Sequence, residues 1–584
     1  MHRALHTSST KSADPLSPSR AFSVQLPVRP APRGSRDRQR SDVGRKAANG
    51  GRDALPAVAV AQRGSVRSGS LNTGMAQNFI ECDREQAFLL PPSLRDWLPE
   101  DHLAWFVIEA VGRLDLQAFY AAYRADGHGR AAYEPSVMVG LVLYAYSTDE
   151  RSSRGIERRC RQDIAYRVIT GNQVPDHATV ARFIRRHQQS LNELFGAVLR
   201  LCASAGLVSS GVVAVDGTKL TASASSDSNV DYDRIAREII EEAIATDEAE
   251  DAQHGDARGD ELPPELQTQA GRREWLEREL AREQAEADEN DPGSCQVAEP
   301  VGEFDPERIG RTGRRGWLRE AHRHLEAQRW QDPQPIPRSR AERLRLGVRF
   351  LEDELATERR GNKAYEDLRE HRRLHDKRKL GGPTKPYTPP EIPAGEVNLT
   401  DPDARRMKGN RRYIQGYNAQ AVVNEQQIVL AAEITTNPTD WSQLRPMLET
   451  AMDELRQLGV TYKPEVVVAD AQYWNEQHMD AVVAEHGIQV LIPPDSGKRK
   501  GERPGWTGGR YSFMRRVLAT DHGKEIYRKR QKSIEPVFGH TKHNRKIYRF
   551  NYRGRSLVRT EWRLAMVTHN LTKLHRHQIA TAAG

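Results

Sequence analysis

The spacing of apolar residues changes several times along the chain, and each change marks a boundary between kinds of structure. Between Phe88 and about Leu207 apolar positions recur at helical intervals. Pro135 stands where the first turn of a helix tolerates proline, and residues 137–146 then run apolar. Residues 153–169 predict a pair of helices, ended by Gly171 and Asn172. Asp176 is placed to N-cap the next helix, with Val180, Phe183 and Ile184 inward and Arg182, Arg185 and Arg186 outward. Near Val212 the period shortens. The run Val212-Val213-Ala214-Val215, ending at Asp216 and Gly217, predicts a buried strand, and residues 219–223 suit a partner. Helical spacing returns within a long charged stretch, about 230–380, through Ile235, Ile239, Ile240, Trp275, Leu276, Leu280, Phe350, Leu351 and Leu355, and a Pro/Gly linker (381–395) closes it. Residues 413–423 and 428–435 then predict a hairpin, followed by a helix over 441–458. A second buried strand over 465–470 also ends in an aspartate. A helix (474–485), a short strand (488–492) and a basic, mostly helical stretch (523–573) complete the pattern. It predicts a mixed α/β sheet with helices on both faces, preceded by an all-α domain.

Composition narrows the function classes. The chain has 584 residues, 37% apolar and 29% charged, room for several domains. No apolar run reaches the ~18 residues of a membrane span, so no membrane association is expected. The four cysteines are far apart without a Cys-x-x-Cys pair; this excludes a disulfide scaffold or zinc finger and favours the cytoplasm. The net charge of +8 is unevenly spread. Residues 1–74 hold 13 Lys/Arg against 4 Asp/Glu and lack periodicity; a disordered basic leader is expected there, with translation beginning at Met75. Residues 230–300 are acidic, with 7 basic and 22 acidic side chains, whereas 308–379 hold 21 basic and 12 acidic; the two halves could pair as antiparallel helices. Residues 498–584 carry 22 basic and 5 acidic side chains, interleaved with Tyr527, Tyr548, Phe550, Tyr552 and Trp562. Such a block suits phosphate neutralisation, or simply a solvated face.

Two aspartates that end apolar strands carry the candidate chemistry. Groups at strand carboxyl ends of an α/β sheet face its crevice, and paired carboxylates there repel unless cations bridge them. Hard oxygen ligands of this kind suit Mg²⁺. A helix-cap or turn role is the alternative for each. Glu535 is the candidate third acid: on a helix Arg528, Glu535 and Lys542 share a face, and Pro536 is expected to kink the helix or begin a new one. Exposed Arg182, Arg185 and Arg186 on a helix that follows a turn fit a DNA-reading module; an all-α domain with a charged surface fits equally. Tyr473 and Trp474, just past Asp470, are candidates to stack on a base or to pack the core.

These residues resemble the DDE transposases of bacterial insertion sequences, in the group with a Tyr, Arg, Glu, Lys signature around the third acid. The resemblance rests on Val215-Asp216-Gly217-Thr218-Lys219, Gly416-Tyr417-Asn418-Ala419-Gln420, Ala469-Asp470-Ala471-Gln472-Tyr473 and Glu535-Pro536-Val537-Phe538-Gly539. Leu89-Leu90-Pro91-Pro92 and Asp176-His177-Ala178-Thr179 add to it. One spacing departs: four residues, not three, separate Arg530 from Glu535. The resemblance implies an RNase H-like catalytic domain (208–229 and 409–550) interrupted by a charged helical insertion (230–408). A helical DNA-binding domain (75–207) precedes it, and a basic C-terminal helix and tail (551–584) follow. It implies that Asp216, Asp470 and Glu535 hold Mg²⁺, with Mn²⁺ as a substitute, for cleavage of element ends and transfer of the 3′-OH into target DNA. Arg182, Arg185, Arg186, Arg528, Arg530, Lys542, Arg545 and Lys546 are the expected contacts to double-stranded DNA, and a homodimer is expected in the synaptic complex. A Mg²⁺-dependent nuclease that does not join, or an inactive DNA-binding protein, are the alternatives.

Overall fold

The computed structural model describes residues 79–80, 82–84, 93–124, 131–209, 211–254, 268–290, 313–375, 386–409, 412–460, 463–495, 501–504 and 506–583. The expected leader 1–74, the motif at 89–92 and part of the linker 381–395 lie outside them.

Seven helices open the described chain: α1 (Leu103–Gly112), α2 (Gln117–Tyr120), α3 (Pro135–Ser147), α4 (Ser153–Gln162), α5 (Ile164–Thr170), α6 (His177–Arg186) and α7 (Gln188–Ser204). Two-residue strands β1 (Phe79–Ile80) and β2 (Ala132–Tyr133) pair beside them. Pro135 occupies the first turn of α3, whose residues 137–146 are buried almost throughout. Gly171 and Asn172 both take left-handed backbone at the end of α5. The Asp176 carboxylate accepts the Thr179 N–H at 2.9 Å to cap α6. On α6 Val180, Phe183 and Ile184 are buried while Arg182, Arg185 and Arg186 face out.

The central sheet combines β3 (Val212–Thr221), β6 (Arg405–Lys408), β7 (Tyr413–Asn424), β8 (Val429–Thr435), β9 (Val466–Val468) and β10 (Gln489–Leu491). β3 and β7 run antiparallel, β7 and β8 form the expected hairpin, and β9 and β10 lie parallel on the other side of β3. The chain is therefore mixed α/β, with apolar runs where strands are covered on both faces. One boundary differs from expectation. β3 does not stop at Asp216, and residues 219–223 do not start a partner strand: β3 itself runs through Gly217 to Thr221, because β7 pairs with it over that whole length. What stops is its other neighbour: β9 pairs with β3 only as far as Ala214 and Val468.

Between β3 and β6 lies a helical segment closed at its base by β4 (Asn229–Asp231) and β5 (Glu396–Asn398), which pair antiparallel. Its helices are α8 (Tyr232–His254), α9 (Gln269–Asn290), α10 (Arg314–Gln331) and α11 (Arg340–His375). α8 and α11 run antiparallel, as Glu238 pairs with Arg340 while a Cβ on Gly347 would stand 3.3 Å from Ile235. Val230, Ile235, Leu276, Leu344, Val348 and Leu351 give this segment a core of its own.

α12 (Leu444–Gln457) and α13 (Glu476–His486) flank the sheet, followed by α14 (Gly509–Ala519), α15 (Asp521–Gly539) and α16 (Arg555–Ala583). α16 is no appendage. Trp562, Leu564, Met566, Val567 and Leu571 are buried in the same core as the sheet and α7. Its basic residues face acids of the sheet and neighbouring helices: Arg559 and Arg563 share Glu433, Arg563 also reaches Glu454, and Arg555 pairs with Asp403. Much of the positive charge counted over 498–584 is thus neutralised within the protein.

Candidate active site

Asp216 lies where β9 has ended, so one side of its strand is open. The β3–β9 register, continued two residues past Ala214 and Val468, sets Asp216 level with Asp470. Asp470 caps a single 3-10 turn (Ala471–Tyr473) by accepting the Gln472 N–H at 2.9 Å. Short parallel pairing and then divergence is what lets two strands present carboxylates at one crevice. Trp474 and Tyr473 are buried, which settles them as core residues rather than exposed stacking surfaces.

α15 carries Glu535, the candidate third acid. The helix continues through Pro536 instead of a new one beginning there. Proline has no N–H for the carbonyl four residues back, and the Gln427 amide donates to that Lys532 carbonyl at 2.8 Å instead. Glu535 is half exposed on this helix. Its partner is Arg530, not Arg528: Arg530 Nη1 lies 3.2 Å from Glu535 and Nη2 lies 2.6 Å from Asp216. A single guanidinium spans the two carboxylates and stands between them. Arg528, one of the expected face-sharing trio, points to solvent.

Electrostatics mark the crevice as short of positive charge. Burial pushes the Asp216 carboxyl up to about 7; Arg530 pulls it down, while Asp470 and Asp440 push it further up. Asp470 is raised too, by burial above all, with Arg530 opposing and Asp440 adding to it. Burial lowers the Lys542 ammonium, and Asp216 is the opposing influence, so Lys542 belongs to the same field. Lys542 lies in a π-helical turn (His540–Asn544) just past Glu535; such turns recur at functional sites.

Arg545 departs from its expected role at the DNA surface. It is 3% exposed and donates to the Ala565 carbonyl at 2.6 Å, to Thr568 at 2.8 Å and to the Tyr146 carbonyl at 2.5 Å. A guanidinium committed to buried carbonyls has no face left for phosphate. Arg530, expected on DNA, is committed to the two acids. Arg182, Arg185, Arg186, Arg528 and Lys546 are exposed, although Arg186 also lies over the Tyr123 ring.

A fourth carboxylate was not singled out from the sequence. Asp440 is 6% exposed, and its Oδ1 accepts from Asn418 at 2.7 Å and Gln420 at 2.6 Å. In sequence it reads as an ordinary helix cap in a Thr-Asp-Trp loop. The available signal was Asn418 and Gln420, two amides at strand period inside an apolar strand, which need a buried partner. Gly217 makes room for this cluster: a Cβ there would stand 2.2 Å from Gln420 Nε2, 2.6 Å from Asp440 Oδ1 and 2.9 Å from Asn418 Oδ1. Gly217→Ala is expected to destabilise the protein by about 1–3 kcal/mol through overpacking, read by urea unfolding; wild-type stability would refute that tight fit.

Three carboxylates with a bridging cation form a donor set suited to a hard divalent metal. The acids are not closed to metal-ligand distance here, as Arg530 stands between two of them. Among the described residues, the one His/Cys/Asp/Glu group of three with ligand atoms all within 4.8 Å is Glu449, Glu485 and His486. There Arg445 already bridges the two glutamates. Cys160 is buried and its thiol pushed up to about 12, which rules it out as a nucleophile.

Among the described residues, no helix is long and apolar enough to cross a membrane. No curated protein and no solved structure matches the chain. Two family models do. Residues 92–186, most of the N-terminal helices, match a Transposase domain (DUF772). Residues 390–571, from β5 through most of α16 and so including Asp470 and Glu535, match a Transposase DDE domain, a kind that works with divalent metals on DNA. Transposase-domain models thus match both the N-terminal helices and the stretch from β5 to α16, and together they support an insertion-sequence DDE transposase.

Proposed function

We propose that this transposase cleaves DNA at the ends of its element and joins the freed 3′-OH to target DNA, using Asp216, Asp470 and Glu535 to hold Mg²⁺. The observation that carries the reading is the meeting of Asp216 and Asp470 at the end of β9, with Glu535 tied to Asp216 through Arg530. The strand order β8-β7-β3-β9-β10, three antiparallel strands and then two parallel ones, supports an RNase H-like catalytic domain. The group with the Tyr, Arg, Glu, Lys signature is supported by Tyr527, Arg530, Glu535 and Lys542 lying in one electrostatic neighbourhood despite the extra residue between Arg530 and Glu535.

A bound divalent ion would supply Lewis acidity to the scissile phosphate and lower the pKa of the attacking water or 3′-OH. The chain's own residues do the rest. Asp216, from within β3, and Asp470, from the turn that follows β9, would hold the ion, and Glu535 would bring a carboxylate from α15. Arg530 neutralises the acids until a divalent ion arrives. Lys542, poorly solvated beside Asp216, is placed to meet a phosphate oxygen. Arg182 and Arg185 on α6, with Arg528 and Lys546, offer exposed charge to the duplex backbone. A homodimer would hold two ends together.

The decisive experiment supplies pre-cut element ends with free 3′-OH, target plasmid and Mg²⁺. Joined products are expected. Cutting without joining would assign a nuclease, and binding without either would assign an inactive DNA-binding protein.

Metal affinity should depend on pH. Metal and proton compete for Asp216, whose carboxyl is raised to about 7. Affinity for Mg²⁺ or Mn²⁺ should therefore rise from pH 6 to pH 8, by about tenfold per unit below that value for one competing proton. The sign for the metal-free fold is opposite: a raised acid favours the folded state at low pH, so its contribution is lost as pH rises through about 7. Titration with Mn²⁺ at several pH values checks the first statement; a flat profile would refute it.

A further inference from the structure

The buried polar cluster beneath the crevice has no counterpart in the chemistry described so far. It forms a continuous chain. The Asp440 carboxylate receives the Asn418 and Gln420 amides at 2.7 and 2.6 Å. The other end of the Gln420 amide, its oxygen, accepts the Tyr473 hydroxyl. Tyr473 is the last residue of the 3-10 turn that Asp470 caps. Gln420 and Tyr473 are fully buried and Asp440 nearly so. The Gln420 backbone carbonyl also takes the Trp562 indole N–H at 3.0 Å, which fixes the strand on its other side.

We propose that Asp440 is a positioning residue for Asp470, acting through Gln420 and Tyr473 to hold the turn on which the second catalytic carboxylate sits. The physical need is plain. β9 contributes three residues to the sheet and no ladder bond beyond Val468, so the strand alone does not fix the turn at its end. An amide can turn over, because its oxygen and nitrogen occupy nearly equivalent positions. Asp440 removes that freedom: a carboxylate only accepts, so it selects the orientation in which Gln420 presents N–H₂ to Asp440 and oxygen to Tyr473. Asn418 donates to the same oxygen and holds the carboxylate in place. The hydroxyl of Tyr473 then has one buried acceptor at one position, and the turn is pinned. Outer partners of metal-holding carboxylates act in this way, fixing orientation rather than touching the ion.

This inference rests on Asp470 as a divalent-ion ligand, and the test separates the two. Mn²⁺ affinity is measured on the full chain for wild type, Asp470→Asn, Asp440→Asn, Tyr473→Phe and the Asp440→Asn/Tyr473→Phe double variant. Asp470→Asn should abolish tight binding. Tyr473→Phe, which removes one oxygen and no charge, and Asp440→Asn should each weaken it by about 10–100-fold. Because both act through Gln420, the double variant should be little worse than the more affected single one. Wild-type affinity in Tyr473→Phe, or effects that multiply in the double variant, would overturn the relay while leaving the ligand assignment standing. Unchanged binding in Asp470→Asn would overturn the ligand assignment itself, and the relay with it.

Discussion

Asp470→Asn should leave binding to element-end DNA unchanged and lower Mg²⁺-dependent cleavage by about 10³-fold or more, since a bound metal contributes several kcal/mol of transition-state stabilisation. The substitution is mild for the fold. Asparagine keeps an oxygen where Asp470 accepts the Gln472 N–H, so the turn retains its cap. What disappears is one negative charge from the crevice proposed to hold a divalent ion. Part of the loss is offset, because Asp470 is among the influences that raise Asp216, and Asp216 ionises more easily without it. That relief does not replace a ligand. The exposed Arg182, Arg185, Arg528 and Lys546 lie on α6, on α15 and just past the π turn and are untouched. Fluorescence anisotropy for binding and denaturing gels for cleavage read the two effects separately. Retained cleavage, or lost binding with cleavage intact, would remove Asp470 from the chemistry.

The parts of this site that were legible in the sequence are those that local periodicity determines. The apolar runs before Asp216 and Asp470 announce strands because residues covered on both faces leave no polar alternation. α6 was readable from its cap and its split between Val180, Phe183, Ile184 and the arginines. The partner of Glu535 was not. A seven-residue helical repeat selects Arg528, but the choice is made by Asp216 on a different element, and Arg530 faces it. Pro536 argued for a kink or a new helix; that one helix runs through it was not readable because Gln427, which satisfies the Lys532 carbonyl, is remote in sequence. Asp440 was missed for the same reason: its amide partners are on β7, across a loop. The positive count over 498–584 misled most, because counting charges does not count partners. Arg555 and Arg563 carry charge into the core and Arg559 lies partly exposed beside them; Asp403, Glu433 and Glu454 meet all three.

Arg545 gives that distinction its sharpest consequence. Arg545→Met should cost about 3–5 kcal/mol of stability, the range for removing one member of a buried charged network, with little direct effect on DNA contact. The guanidinium joins three parts of the molecule: the end of α3 through the Tyr146 carbonyl, α16 through Ala565 and Thr568, and the loop after α3 through Asp149. Methionine fills much of the space but donates nothing, so the Tyr146 and Ala565 carbonyls lose their shortest side-chain donor and keep the Asp149 N–H at 3.4 Å and the Thr568 hydroxyl at 3.0 Å, respectively. Lysine would keep the charge yet lacks the fork that reaches several acceptors at once, so Arg545→Lys should fall between wild type and Arg545→Met. Burial already lowers the Arg545 guanidinium to about 10, a sign that its charge is held at a desolvation cost which only these partners offset. Arg528→Ala is the contrasting variant. It should unfold with the wild type, weaken DNA binding across sequences, and reduce the slope of log affinity against log salt by about 1. Urea unfolding and salt-dependent anisotropy on both variants read the two roles independently. If Arg545→Met unfolded with the wild type while its salt slope fell, Arg545 would be a phosphate contact after all, and the docking of α3 onto α16 would need another explanation.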